Sequence, residues 1–295
     1  MKRLLLTLVA LAVGAGAFAQ GAAPRAWQQR LQVDVPLPVP VVALEAANPF
    51  VVALDEPPKL VRATPPRKME INLQARVAAY VNADGDCDGA VPLDSPFAAL
   101  AQPLVSGLNR GRFEPARSNK TPEPSWVVLQ IGLEGKIKES ATSNQSLVMP
   151  SPASPPSPPQ AAPPYRAGRL AQLPAVDPSR LTTLAVPRRV RVRISGGEIQ
   201  SGVHALVHLT ASGKCDRFVP LEVDSGLLSW LSAYFATWQV TPGRRNGNPV
   251  ACWVDYSAKV VVKLSSLSST TVTVLTGVPF TPSAAGSSAP TPGGG

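Results

Sequence analysis

The chain is short of the side chains from which most reactive centres are built. It holds two His and three Cys among 295 residues, too few for a multi-ligand zinc cluster or an iron–sulfur protein. Charged residues are 16% of the total and aromatics 5%, so neither a highly charged tail nor an aromatic-rich core dominates. No apolar run after Ala19 approaches the roughly 20 residues of a membrane-spanning helix. No Ser or Cys nucleophile has an evident His partner, and no Gly-rich phosphate loop occurs. The sequence therefore reads as non-catalytic, with no cofactor. What it has in excess is Pro (33) and Gly (22), without the strict period of collagen.

Lys2 and Arg3 precede an apolar run from Leu4 to Ala15, then Ala17-Phe18-Ala19 before Gln20. A basic start, a short apolar core and an A-x-A site describe a secretory signal peptide over residues 1–19. The competing reading is an uncleaved anchor helix, against which stand the shortness of the run and Gly14 and Gly16. Cleavage lowers the formal charge from +9 to +7 by removing Lys2 and Arg3. The expected location is periplasmic or secreted, where disulfides are permitted and nucleic acid is not the expected partner.

Proline divides the remainder. Residues 20–67 are rich in Val and Leu but broken by Pro, which predicts an extended segment. Residues 141–187 include eight prolines from Pro150 to Pro164 and read as a polyproline II linker. Residues 276–295 form a tail unable to build a core. Two blocks remain, 68–140 and 188–275, and they resemble each other. Cys87-Asp88 and Val91-Pro92-Leu93 recur as Cys215-Asp216 and Val219-Pro220-Leu221 at an offset of 128. Pro115 and Trp126 recur as Pro242 and Trp253 at 127. This is the signature of a tandem duplication.

Each block reads as strand, tight turn, strand, helix and closing strand. Gly85 and Gly213 supply the turns. Asp94-Ser95-Pro96 and Asp224-Ser225 look like helix starts, and Pro103 implies a kink or break in the first helix. The expected fold class is α+β: two small repeats, each a helix packed on a short antiparallel sheet, joined by the Pro-rich linker.

The motif Trp238-Gln239-Val240-Thr241-Pro242-Gly243-Arg244-Arg245-Asn246-Gly247-Asn248-Pro249-Val250 resembles the closing motif of TonB C-terminal domains. The first block keeps Arg112-Phe113-Glu114-Pro115-Ala116-Arg117 and replaces Gly-x-Pro-Val with Lys120-Thr121-Pro122-Glu123. The resemblance covers about half of the chain. It gives Phe113, Pro115, Trp126, Trp238, Pro242, Gly247 and Trp253 mainly structural roles. It also implies pairing with periplasmic or outer-membrane protein segments by strand addition. Two other functions stay open: an energy-transducing transport component held by an uncleaved N-terminal helix, and a structural protein binding peptidoglycan or lipopolysaccharide.

Three constellations bear on partners. Asp84, Asp86, Asp88 and Gly89 begin like a calcium loop, but position twelve is Ser95, and the second block has Ser212, Lys214 and Asp216; a hairpin turn explains both copies. Cys215 and Cys252 lie within one block of an exported chain and are the expected disulfide, with Cys87–Cys215 the alternative. In Arg188–Ile194, alternation puts Arg189, Arg191 and Arg193 on one face of a strand and Val190, Val192 and Ile194 on the other. That face is either a charged edge that discourages aggregation or a basic ridge for an acidic partner such as envelope glycan or lipopolysaccharide. The last strand of each block is the other expected edge.

Overall fold

Alternation of apolar and polar side chains sets the long strands. In Met69–Val81, Ile71, Leu73, Ala75 and Val77 are buried, while Glu70, Asn72 and Gln74 between them are exposed. Glu198–Leu209 repeats the pattern with Ile199, Val203 and Ala205. The computed structural model of the protein describes residues 37–44, 53–150, 172–276 and Phe280. The signal-peptide reading, all of residues 20–36, the polyproline stretch 151–171 and nearly all of the tail lie outside these residues.

In chain order the strands are β1 (Lys59–Arg62), β2 (Met69–Val81) and β3 (Cys87–Asp94), followed by helix α1 (Ala101–Leu108). Next come β4 (Arg112–Glu114), β5 (Ala116–Ser118), β6 (Thr121–Glu123) and β7 (Ser125–Val148). Then follow β8 (Val186–Arg189), β9 (Arg193–Ile194), β10 (Glu198–Leu209), β11 (Cys215–Glu222) and helix α2 (Leu228–Ala236). The chain closes with β12 (Gln239–Thr241), β13 (Arg244–Arg245), β14 (Asn248–Pro249), β15 (Cys252–Leu264) and β16 (Leu267–Val274).

The expected pair of separate helix-on-sheet repeats is not what forms. The molecule is mostly strand and builds one large, curled antiparallel sheet. The cause is the length of β7, which runs through Ser140 to Val148 over 24 residues. Its first half pairs with β2, Val81 facing Ser125 and Met69 facing Ile137. On its opposite side lie β16, from Glu134 to Leu129, and β15, from Ile137 to Val148. The helices, of eight and nine residues, are too short to divide such a sheet.

The register reveals an internal two-fold relation. Ile137 pairs with Leu264, its own counterpart at the offset of 127. Val81 faces Cys87 as Leu209 faces Cys215, and Val77 faces Pro92 as Ala205 faces Pro220. Even the bulges recur, between Arg76 and Val77 and between His204 and Ala205. The short strands before each half are exchanged: β1 pairs with β12 of the second half, and β8 with β4 of the first.

One face of the sheet carries the helices. Leu100, Leu104 and Leu108 fill the first half, and Trp230, Leu231, Tyr234 and Phe235 the second. Phe235, Trp238 and Tyr256 form edge-to-face contacts with ring centroids 4.8 to 5.4 Å apart. The helices start at the two-fold: Gly226 N–H donates to Pro96 O at 2.8 Å, and a Cβ on Gly226 would lie 2.5 Å from the Phe97 ring. Asp224 does not cap its own helix start, and the turn ahead of α1 is preceded by Phe97, which has no side-chain cap. Asp224 instead accepts from Ser201 Oγ at 2.9 Å, and burial raises its pKa. Pro103 falls in the first turn of α1, where its missing N–H leaves no helical bond unmade.

Two tight turns record where the halves diverge. Asn246 and Gly247 join β13 to β14 with φ of 51° and 75°, the geometry of an Asn-Gly type I′ turn. In the first half Asn119 and Lys120 join β5 to β6 with φ of 47° and 72°. Lys120 thus occupies a position that favours glycine. Lys120→Gly is expected to raise stability by about 0.5–1 kcal/mol, relief of strain exceeding the added unfolded-state entropy. A urea-unfolding midpoint at or below that of the parent protein would refute that balance.

Candidate functional site

The edges of the curled sheet are β3, β11 and the two-residue β9, each paired on one side only to another strand. The closing strands β7 and β15, expected as edges, are paired on both sides and lie in the interior of the sheet. Their first residues, 125–129 and 252–254, are buried in succession, as in strands covered on both faces.

The β11 edge carries an extended segment of the same chain. Val42 N–H donates to Phe218 O at 2.9 Å, and Phe218 N–H donates to Pro40 O at 3.1 Å, with Val41 and Phe218 bridged in parallel. Ser232 of α2 grips the main chain one residue earlier. Its Oγ accepts from Val39 N–H at 2.9 Å and donates to Val39 O at 2.7 Å. Val39 is 2% exposed. Val42 and Leu44 then cross onto the outer face and pack against Leu206, Val219, Leu221 and Trp253. Proline at positions 38 and 40 keeps the segment extended and removes two donors, so it forms only a short ladder.

The first half repeats the receiving surface. Ala90 of β3 stands where Phe218 stands in β11, and Ala78, Val91, Leu93 and Trp126 match the four apolar residues under Val42 and Leu44. Leu173 and Phe280 cover that patch, Phe280 with its ring 5.0 Å from Trp126, and Tyr80 donates to Pro174 O at 2.6 Å. Among the described residues no other segment hydrogen-bonds the outer edge of β3 at Ala90.

The motif residues stand inside this frame. Phe113 and Trp238 are buried, and Pro115 and Pro242 are half-buried beside the turn glycines. Phe113 N–H donates to Gly85 O, and Val240 N–H donates to Gly213 O. Trp126 and Trp253 lie on the outer face beneath the segments just described, which the sequence assigned only a structural role.

The basic run does not form one strand. Arg189 ends β8 and Arg193 begins β9, with Arg191 between them outside any strand. The alternation survives: Arg189, Arg191 and Arg193 are exposed, while Val192 and Ile194 are buried. Arg112 faces Arg189 across the ribbon and pairs with Asp86, and Arg188 pairs with Glu114 at 3.3 Å.

Cys215 and Cys252 are not bonded. Both face Leu209, one from each side of β10, so they are two strands apart, about 10 Å between Cα atoms. A disulfide needs about 4.4–6.8 Å. Cys87, the alternative partner, lies in the other half and is likewise unbonded. Burial pushes the Cys215 thiol up to about 12 and that of Cys87 to about 11, which keeps both protonated and unreactive at neutral pH.

The three aspartates of the first turn do not converge. Asp86 is engaged by Arg112, and Asp88 accepts from Asn82 Nδ2, whose Oδ1 takes the N–H groups of Asp84 and Asp86. Among the described residues no group of three His, Cys, Asp or Glu side chains is placed to hold a metal ion. The two imidazoles pair with carboxylates, His204 with Asp255 at 2.8 Å and His208 with Asp216 at 2.6 Å. No described helix is long and apolar enough to cross a membrane. Compared with known protein families, characterised proteins and solved structures, the chain matches none.

Proposed function

We propose that this is an exported, non-catalytic protein that binds extended peptide segments by strand addition to the outer edges of its sheet. The observation that carries the reading is the segment Val39–Val42 on β11. It shows the edge exchanging main-chain hydrogen bonds with an added chain, while Ser232 clamps the main chain of Val39 and an apolar patch receives the alternate side chains Val42 and Leu44. Those are the two components of strand-addition recognition, main-chain bonds for affinity and side-chain pockets for specificity. The TonB-like motif supports it as well, since that family meets its partners by strand addition. A partner strand with an N–H at every position makes bonds that Pro38 and Pro40 cannot, which is why it can displace the resident segment.

The test frees the edge and refills it. Val39→Asp puts a carboxylate into a site 2% exposed and is expected to release the segment without unfolding the sheet. A synthetic peptide of residues 37–44 should then bind the variant saturably, and at least tenfold more tightly than it binds the parent, whose tethered segment competes at high effective concentration. Val42→Asp serves as a second release variant if Val39→Asp loses its fold. Failure of both folded variants to bind the peptide would end the proposal.

A further inference from the structure

A second surface owes nothing to the peptide reading. The turn between β1 and β2 (Pro65, Arg67 and Lys68) and the second half of β7 (Lys138 to Thr142) enclose a cleft of about 650 Å³. Its cations are Arg67, Lys68 and Lys138, all exposed; Arg67 lies near enough to Glu139 to help lower the pKa of that carboxyl. Glu139, the acid of the cleft, is bound by Lys263 at 2.8 Å on the neighbouring strand β15.

The walls are fixed rather than incidental. Ser140 Oγ donates to Pro66 O, and Trp230 Nε1 donates to Ser140 Oγ at 3.0 Å and to Pro66 O at 3.3 Å. Trp230 is fully buried, so the turn bearing Arg67 and Lys68 is fastened to β7 from beneath. Ordered cations lose less freedom on binding than loose ones.

A smaller cleft of about 260 Å³ lies in the other half, between strand β8 with the residues after it and strand β16. It too is basic and hydroxyl-rich, with Arg188, Arg191, Ser269, Thr270 and Thr271. Thr142 of the first cleft corresponds to Ser269 of the second at the offset of 127.

We infer that the cleft of Arg67, Lys68 and Lys138 binds a phosphate group of an anionic ligand. A guanidinium gives phosphate two parallel donors and the ammonium groups add charge, with Thr142 at the rim. The phosphate-bearing source is a soluble or polymer-borne phosphate rather than a lipid headgroup, because the cations line a recess and not a flat apolar-flanked face.

The experiment titrates the full chain with inorganic pyrophosphate at low ionic strength and reads amide chemical shifts. The expected result is saturable binding, with the shifts at 67–68 and 138–142. The triple variant Arg67→Gln, Lys68→Gln, Lys138→Gln should weaken it at least tenfold. A control, Lys214→Gln, Arg110→Gln, Arg245→Gln, removes equal charge from exposed sites elsewhere and should leave affinity within twofold. Equal loss in the two variants would show attraction by net charge alone and overturn the site. So would non-saturating shifts, or binding to phosphatidylglycerol-containing phosphatidylcholine vesicles with none to pyrophosphate. None of these outcomes depends on whether peptides bind at β11.

Discussion

Trp230→Ala should cost about 3–5 kcal/mol and destabilise both halves of the sheet together. The indole is 0% exposed, stacks on Tyr234 with centroids 5.2 Å apart, and sits in helix α2 of the second half. Its hydrogen bonds, however, go to Ser140 of β7 and to Pro66 ahead of β2, both in the first half. Truncation therefore leaves a cavity in one half and removes from the other the one N–H that Ser140 and Pro66 share. Trp230→Phe should keep most of the packing and cost about 1–2 kcal/mol, nearer the worth of a buried hydrogen bond. Urea unfolding followed by far-ultraviolet circular dichroism and by tryptophan fluorescence should give coincident transitions in the parent and in both variants. Transitions that separate, one for each half, would mean that the sheet is not a single cooperative unit.

Gly213→Ala is the other large expected effect. At φ +76°, a Cβ there would lie 2.0 Å from the carbonyl oxygen of Val240, in a turn whose own carbonyl receives Val240 N–H. Gly85 is the related residue, at φ +84° with Phe113 O 2.3 Å from the added carbon. Each substitution combines left-handed strain with a backbone clash and should cost at least about 2 kcal/mol. Gly247→Ala is the control, since φ is +75° but nothing lies within 4 Å of the added carbon. It should cost only about 1 kcal/mol. Thermal unfolding of the three variants separates the clash from the strain; equal losses at positions 213 and 247 would show that the close approach to Val240 has no energetic weight.

The turns were legible because they need particular residues. Glycine at 85 and 213, followed by Cys and Val-Pro-Leu at an offset of 128 and later Pro and Trp at 127, reported two equivalent strand-turn-strand units. The fusion of the halves was not legible, and the reason lies in β7. Its second half reads Glu-Ser-Ala-Thr-Ser-Asn-Gln-Ser from Glu139, mostly exposed and without apolar alternation. Such a sequence looks like linker, and only the long partner strand, Val260 and Val262 buried with Lys259 and Lys263 outward, gives it a place in the sheet. The exchanged strands β1 and β8 are four residues each, shorter than any period can be read from. The cysteine pairing failed for a related reason: membership of one repeat says nothing of which strand lies between two residues, and β10 lies between Cys215 and Cys252.

The site was legible only in kind. Sheet edges were expected to bind, at the basic run and at the closing strands; the edges are β3, β11 and the short β9 that Arg193 begins, and the closing strands are interior. The signal present in the sequence was the Leu-Pro-Val-Pro-Val-Val run from Leu37, too proline-broken for an interior strand but apolar enough to be covered. The basic run was read correctly for exposure and incorrectly for continuity, because residues 190–192 join β8 to β9 outside any strand.

Amide hydrogen exchange at Phe218 tests the strand-addition account most directly. Its N–H bonds the Pro40 carbonyl of the resident segment, whereas the neighbouring ladder of β10 and β11 is internal to the sheet. If the edge exchanges partners, Phe218 should exchange far faster than its strand neighbours, through local release of the segment. Saturation of the Val39→Asp variant with the peptide of residues 37–44 should slow that amide again. Exchange of Phe218 at the rate of global unfolding in the parent, together with no protection by the peptide in the variant, would contradict the account and make the segment a permanent cover of the edge.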